Sequence, residues 1–81
     1  MKIKTLASNM TLLVLPTGAE VMFSYETPVA GHDQEGIAFR TTEKYSVTTT
    51  KHINKYLRDS HSESVEKLSE SEIRMLVRYC L

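Results

Sequence analysis

The chain has no tryptophan, one cysteine, two prolines and three glycines among its 81 residues. A lone Cys80 excludes an intramolecular disulfide and any zinc site built from several cysteines, and it fits a reducing cytoplasm. Excess charge is also missing: Lys and Arg total 10, Asp and Glu total 10, and the net charge is zero. The global balance therefore gives no reason for strong nonspecific attraction to nucleic acid or to an anionic membrane, and only a local patch can supply it. No apolar run approaches the 18 residues of a spanning helix. The stretch Met10 to Leu15 is short, ends at Pro16 and lacks a small-residue cleavage pattern, so no secretory signal is expected. Internal repeats and low-complexity segments are absent.

Catalytic patterns are missing as well. His32, His52 and His61 have no metal-ligand spacing, and Asp33 beside His32 matches no recognised ligand motif. Ser24, Ser46 and Cys80 are potential nucleophiles by type, but none sits in a nucleophile elbow, and Cys80 falls on the apolar stripe of the last helix. The expectation is a protein that is not an enzyme and uses no cofactor or metal.

What is present is the composition of a folded domain, 41% hydrophobic and 25% charged. Residues 1–81 suffice for one domain, which buries roughly 60 to 65% of its unfolded surface and has little room for a deep enclosed site. Lys2 to Leu6 alternates as a short edge strand whose lysines discourage pairing with other molecules. Met10 to Leu15 is β-compatible, and Leu15-Pro16-Thr17-Gly18 reads as a hairpin turn. The return strand, Glu20 to Tyr25, places Val21, Phe23 and Tyr25 on a core face, and Thr27-Pro28 ends it because Pro28 cannot extend a central ladder. Residues 31 to 36 follow as a polar loop, and Ile37 to Val47 resumes the strand pattern with a break near Glu43.

The period then changes. Tyr45 and Val47 are two apart, as in a strand, whereas Ile53, Tyr56 and Leu57 share one face of a helix. Thr48, Thr49 and Thr50 are candidate caps, and Thr49 is predicted to be the N-cap of a helix running to about Arg58. After a Ser-rich linker from Asp59 to Ser64, Val65 and Leu68 form a short strand or dock on the sheet. Ser69-Glu70-Ser71-Glu72 is a capping box opening a helix with Ile73, Leu76, Val77 and Cys80 on its apolar stripe. The predicted fold is α+β: an antiparallel sheet of three to four strands packed against two C-terminal helices on one face. An exposed stacking platform is not expected, because Phe23, Tyr25, Phe39 and Tyr45 are needed in the one core.

The strongest functional signal is local charge. Arg40, Lys44, Lys51, Lys55 and Arg58 stand against Glu43 alone, a balance of +4, and Lys51, Lys55 and Arg58 share a helix face with His52 beside it. Together with the hydroxyls of Thr48 and Thr50 and the free amides of a helix start, these residues form a candidate contact site for a partner or a phosphate. A plain solvated face has the same pattern.

The segments Ser24-Tyr25-Glu26-Thr27-Pro28-Val29-Ala30 and Lys44-Tyr45-Ser46-Val47-Thr48-Thr49-Thr50-Lys51-His52-Ile53-Asn54-Lys55-Tyr56-Leu57, preceded by Leu15-Pro16-Thr17-Gly18, resemble a family of small phage and prophage proteins of unknown function. The resemblance spans Leu12 to Leu57. It implies a phage-encoded protein made in the bacterial host cytoplasm that acts by binding a host protein or a defence complex, as an anti-CRISPR does. The alternative is a small nucleic-acid-binding domain using the basic helix face. Membrane association is not expected, and oligomeric state is not legible.

Overall fold

The computed structural model describes residues 2–43, 45–59 and 64–80, of which 79 and 80 by backbone alone. The elements in chain order are β1 (Lys2–Ala7), β2 (Met10–Val14), β3 (Glu20–Ser24), β4 (Thr27–His32), β5 (Ala38–Thr41), α1 (Val47–Asp59), β6 (Val65–Leu68) and α2 (Glu70–Cys80). The six strands make one sheet in sequence order. Neighbours from β1 to β5 are antiparallel, and β6 joins β5 in parallel after the excursion through α1.

The fold is α+β as predicted, but the sheet is a mixed one of six strands rather than an antiparallel one of three to four, and the helices cover opposite faces rather than one. Strand alternation explains this. In β2 and β3, Met10, Leu12 and Met22 pack with Ile53 and Tyr56 of α1, while Val21 and the flanking Leu15 and Ala19 pack with Phe39 and Ile73 of α2. Consecutive residues of both parities are therefore apolar and both are buried, which is the pattern of a sheet covered on two sides. The sequence expectation treated Val21 and Phe23 as the sole core face and left Met22 outside, whereas Met22 is fully buried.

Two readings of turn chemistry are corrected. Thr27-Pro28 opens β4 instead of ending a strand, and Tyr25 sits in the tight turn between Ser24 and Thr27 with φ 58°. Pro28 is tolerated because a register shift lies beside it and β5 pairs only with Ala30, Gly31 and His32. Gly31 is buried in β4, not part of a loop, and a Cβ there would lie 2.1 Å from the Glu20 carbonyl oxygen. The loop proper is residues 33–37, closed by Asp33, whose Oδ1 accepts from the amides of Glu35 and Ile37, each at 2.9 Å.

The strand expected over Ile37 to Val47 is only Ala38–Thr41, and it does not resume among the described residues from Glu43 to Val47. Tyr45 and Val47 are consequently not strand residues, and Val47, the first residue of α1, is 73% exposed. The cap of α1 is Ser46 rather than Thr49: its Oγ accepts from the Thr49 amide at 3.1 Å. Thr49 is instead buried against the sheet with Ile53 and Tyr56. The capping box of α2 forms as predicted. Ser69 Oγ accepts from the Glu72 amide at 3.2 Å, and Glu72 Oε1 accepts from the Ser69 amide at 3.1 Å. Val65 to Leu68 is the short strand β6. The linker residues 60–63 and the side chain of Cys80 lie outside the described residues.

Candidate functional site

The chain places polar side chains between α1 and the sheet in two clusters. At the start of the helix, Ser24 on β3 lies 3.0 Å from Thr49 Oγ1 and 2.8 Å from His52 Nδ1, and Ser46 Oγ donates to Thr49 Oγ1 at 3.2 Å. The His52 ring also tilts against Tyr25, centroids 6.1 Å apart. One helical turn spacing explains the set, since Thr49 and His52 are three apart and lean on the same strand end. Ser24 is only 1% exposed and His52 is half-buried, so the set ties the start of α1 to the end of β3 as a polar lock with a buried centre.

Further along the helix, Tyr56 donates to Glu20 Oε1 at 2.7 Å, and His32 Nδ1 lies 2.6 Å from the same hydroxyl and 3.3 Å from Glu20 Oε1. With the tyrosine hydrogen given to Glu20, the tyrosine oxygen is left to accept from His32. Burial, then the bond to the Glu20 carboxylate, holds the Tyr56 hydroxyl well above the usual tyrosine range. His32 is thus engaged in the core margin, and among the described residues no group of three or more His, Cys, Asp and Glu side chains is placed to hold a metal ion.

A third cluster lies where the chain enters α1. The Tyr45 hydroxyl bonds with Glu70 and with Glu43, the latter at 2.8 Å, and Arg74 Nε donates to Glu70 at 3.1 Å. Partial burial and the carboxylate partners raise the tyrosine hydroxyl, while the tyrosine bond and Arg74 lower Glu70. Two carboxylates here oppose the attraction of a phosphate to the segment leading into α1. Tyr25 and Tyr45 are exposed, at 51% and 39%, instead of being core rings as expected; Tyr25 leans on His52 and Tyr45 bonds to Glu43 and Glu70.

The predicted contact residues divide in the structure. Lys51, Lys55 and Arg58 are exposed on α1, with Arg58 Nε 4.0 Å from Asp59, as are Thr48 and Thr50. His52 turns inward to Ser24 and leaves that face. Arg40 is half-buried on β5, its Nε donating to the Thr41 carbonyl at 3.4 Å. Lys44 lies outside the described residues.

What sequence reading did not find is a groove beside α1. His52, Lys55, Tyr56 and Asp59 follow one helical stripe, and Lys55, Tyr56 and Asp59 line an open cleft of about 330 Å³ together with Leu6, Met10 and Leu12. β1 is exposed along Lys2–Leu6, with Ile3 at 71%, and α1 borders it at Leu6 and Ala7. The pairings Lys2 to Val14 and Lys4 to Leu12 set both lysines on the α1 side of the sheet, the side of the groove. Leu6, left without a partner where the register shifts between Thr5 and Ala7, reaches the groove itself. The only signal in the sequence was the alternation of Lys2, Lys4 and Leu6, which reads equally as ordinary edge protection.

A model of a family of unknown function (DUF8033) matches residues 1–74. The chain belongs to this family. The match takes in β1, the groove, both polar clusters and the first residues of α2, so the whole arrangement around α1 is family territory. No curated protein and no solved structure matches the chain. Among the described residues no helix is long and apolar enough to cross a membrane.

Proposed function

We propose that this DUF8033 protein is a small non-catalytic binding protein that engages a partner protein through β1 and the groove between β1 and α1. The observation that carries the reading is the exposed strand β1 beside the cleft where Leu6, with the margins of Met10 and Leu12, forms an apolar floor next to Lys55, Tyr56 and Asp59. Apolar surface at the foot of a polar rim is how protein contacts are built. The resemblance of Ser24–Ala30 and Lys44–Leu57 to phage proteins supports a phage or prophage origin, a bacterial host cytoplasm, and a host protein or defence complex as the target. Inhibition by occupying a site, in the manner of an anti-CRISPR, suits a chain whose Ser24 and both described histidines are tied into its own packing.

Capture from a bacterial lysate tests this. The wild-type chain recovers a stoichiometric protein that the Leu6→Asp variant loses, and equal recovery by both overturns the assignment to the groove. The second reading, nucleic-acid binding, is favoured by the shared exposure of Lys51, Lys55 and Arg58 on α1. It predicts binding to labelled oligonucleotides whose salt slope falls by about one for each of these side chains removed. No anisotropy change at low salt removes it.

A further inference from the structure

Taking the groove reading as its basis, we infer that the free edge of β1 accepts an extended acidic segment of the partner as a seventh strand. Among the described residues β1 is the end of the sheet order and pairs on one side only, with β2. An unpaired strand edge is a template for main-chain hydrogen bonding, and side chains at alternate positions set which segment fits. Here the α1 side carries Lys2 and Lys4, and the opposite side carries Ile3, paired with Leu13.

A strand added along Lys2–Thr5 places its alternate side chains beside the two lysines, and carboxylates there match them while lysine or arginine is repelled. Each opposite-charge cross-strand pair is worth up to about five-fold in affinity. On the other side, a β-branched residue beside Ile3 covers the most exposed of the aliphatic side chains on the sheet. The register shift at Leu6 ends the regular edge after Thr5 and directs Leu6 over the groove, so the incoming segment continues from the ladder onto an apolar seat beneath Lys55.

A second copy of this chain is a poor occupant. Antiparallel pairing of β1 with its own copy about Lys4 sets Lys4 against Lys4. The opposite edge strand, β6, carries Lys67 on the α1 side, as its alignment with Arg40 opposite Ala30 requires, so a copy that continues the sheet with α1 on the same side offers a lysine to the lysines of β1. The lysines that refuse these pairings admit an acidic one, which is selection by repulsion as much as by attraction.

The test uses the full isotope-labelled chain and two capped hexapeptides, one alternating valine with glutamate and one alternating valine with lysine, each titrated to several millimolar. The glutamate peptide saturably shifts the amide resonances of Lys2–Thr5 and slows their hydrogen exchange, the lysine peptide does neither, and the Lys2→Glu/Lys4→Glu variant, altered only at exposed positions, reverses the preference. Equal responses to the two peptides, no response at β1, or an oligonucleotide shifting the same amides as strongly as the glutamate peptide overturns the inference. If the peptide fails while Leu6→Asp still loses the captured protein, the groove reading stands and the acidic strand alone is wrong.

Discussion

Tyr56 on α1 and Glu20 on β3 meet through a 2.7 Å hydrogen bond in which the tyrosine hydroxyl donates to the carboxylate. The pair ties the outer end of the helix to the strand beneath it, and it makes stability depend on alkaline pH. Tyr56 holds its proton in the folded state above the ordinary value of 10.0, so between that value and its raised folded value the unfolded chain binds fewer protons than the folded one. Stability present below pH 10 therefore falls as pH rises, with a limiting slope of about 1.4 kcal/mol per pH unit for one proton. Denaturant titrations from pH 9 to 11 check this. The Tyr56→Phe variant, less stable by about 1 kcal/mol at neutral pH through loss of its hydrogen bonds, shows a shallower decline.

The capping assignment separates Ser46 from the three threonines that follow it. Ser46→Ala costs about 1 kcal/mol, because it leaves the Thr49 amide without its acceptor. Thr48→Ala and Thr50→Ala, both on exposed side chains, change stability by less than about 0.5 kcal/mol. Thermal melts of the three variants decide it, and equal losses in all three contradict Ser46 as the cap.

Thr49 matters for a different reason. Thr49→Val keeps the shape of the side chain but removes the hydroxyl that joins Ser46 to Ser24, at a cost of about 1 kcal/mol. In a double-mutant cycle with Ser24→Ala the two losses are not additive, since both remove the same bond. Full additivity shows that the buried lock carries no energy of its own.

Of the three glycines, Gly31 has the least room for a side chain. Gly31→Ala drives a methyl group against the Glu20 carbonyl and against Phe39 Cζ at 2.7 Å. The ring can turn but the backbone of β3 cannot, so the loss is at the upper end of overpacking, about 3 kcal/mol or more. Circular dichroism and the urea midpoint measure it, and Gly18→Ala, at a turn with open space but φ of 94°, gives a smaller loss from backbone strain alone.

Local signals in the sequence led to the elements whose chemistry is local. The Ser69–Glu72 capping box, the turn at Leu15–Gly18 and the face made by Ile53, Tyr56 and Leu57 each depend on residues a few positions apart, and each is present in the structure. The errors arose where a distant neighbour decided the outcome. Pro28 argues against a strand unless β5 stops short of it, and Met22 reads as solvent-facing unless α1 crosses above it. Thr49 has the chemistry of a cap, but Ser24, far away in sequence, offers it a better partner inside. The groove beside α1 was illegible for the same reason, since Leu6, Leu12 and Lys55 have no common pattern until the helix lies across the sheet.

The first five strands join by nearest-neighbour hairpins, and α1 closes one face of them through contacts far apart in sequence, such as Met10 with Ile53. The other face is completed by the last two elements, β6 and α2. Val21 and Phe39 take their cover from Ile73, so a chain cut after Asp59 would leave that side of the sheet greasy and open to chaperones or to its neighbours.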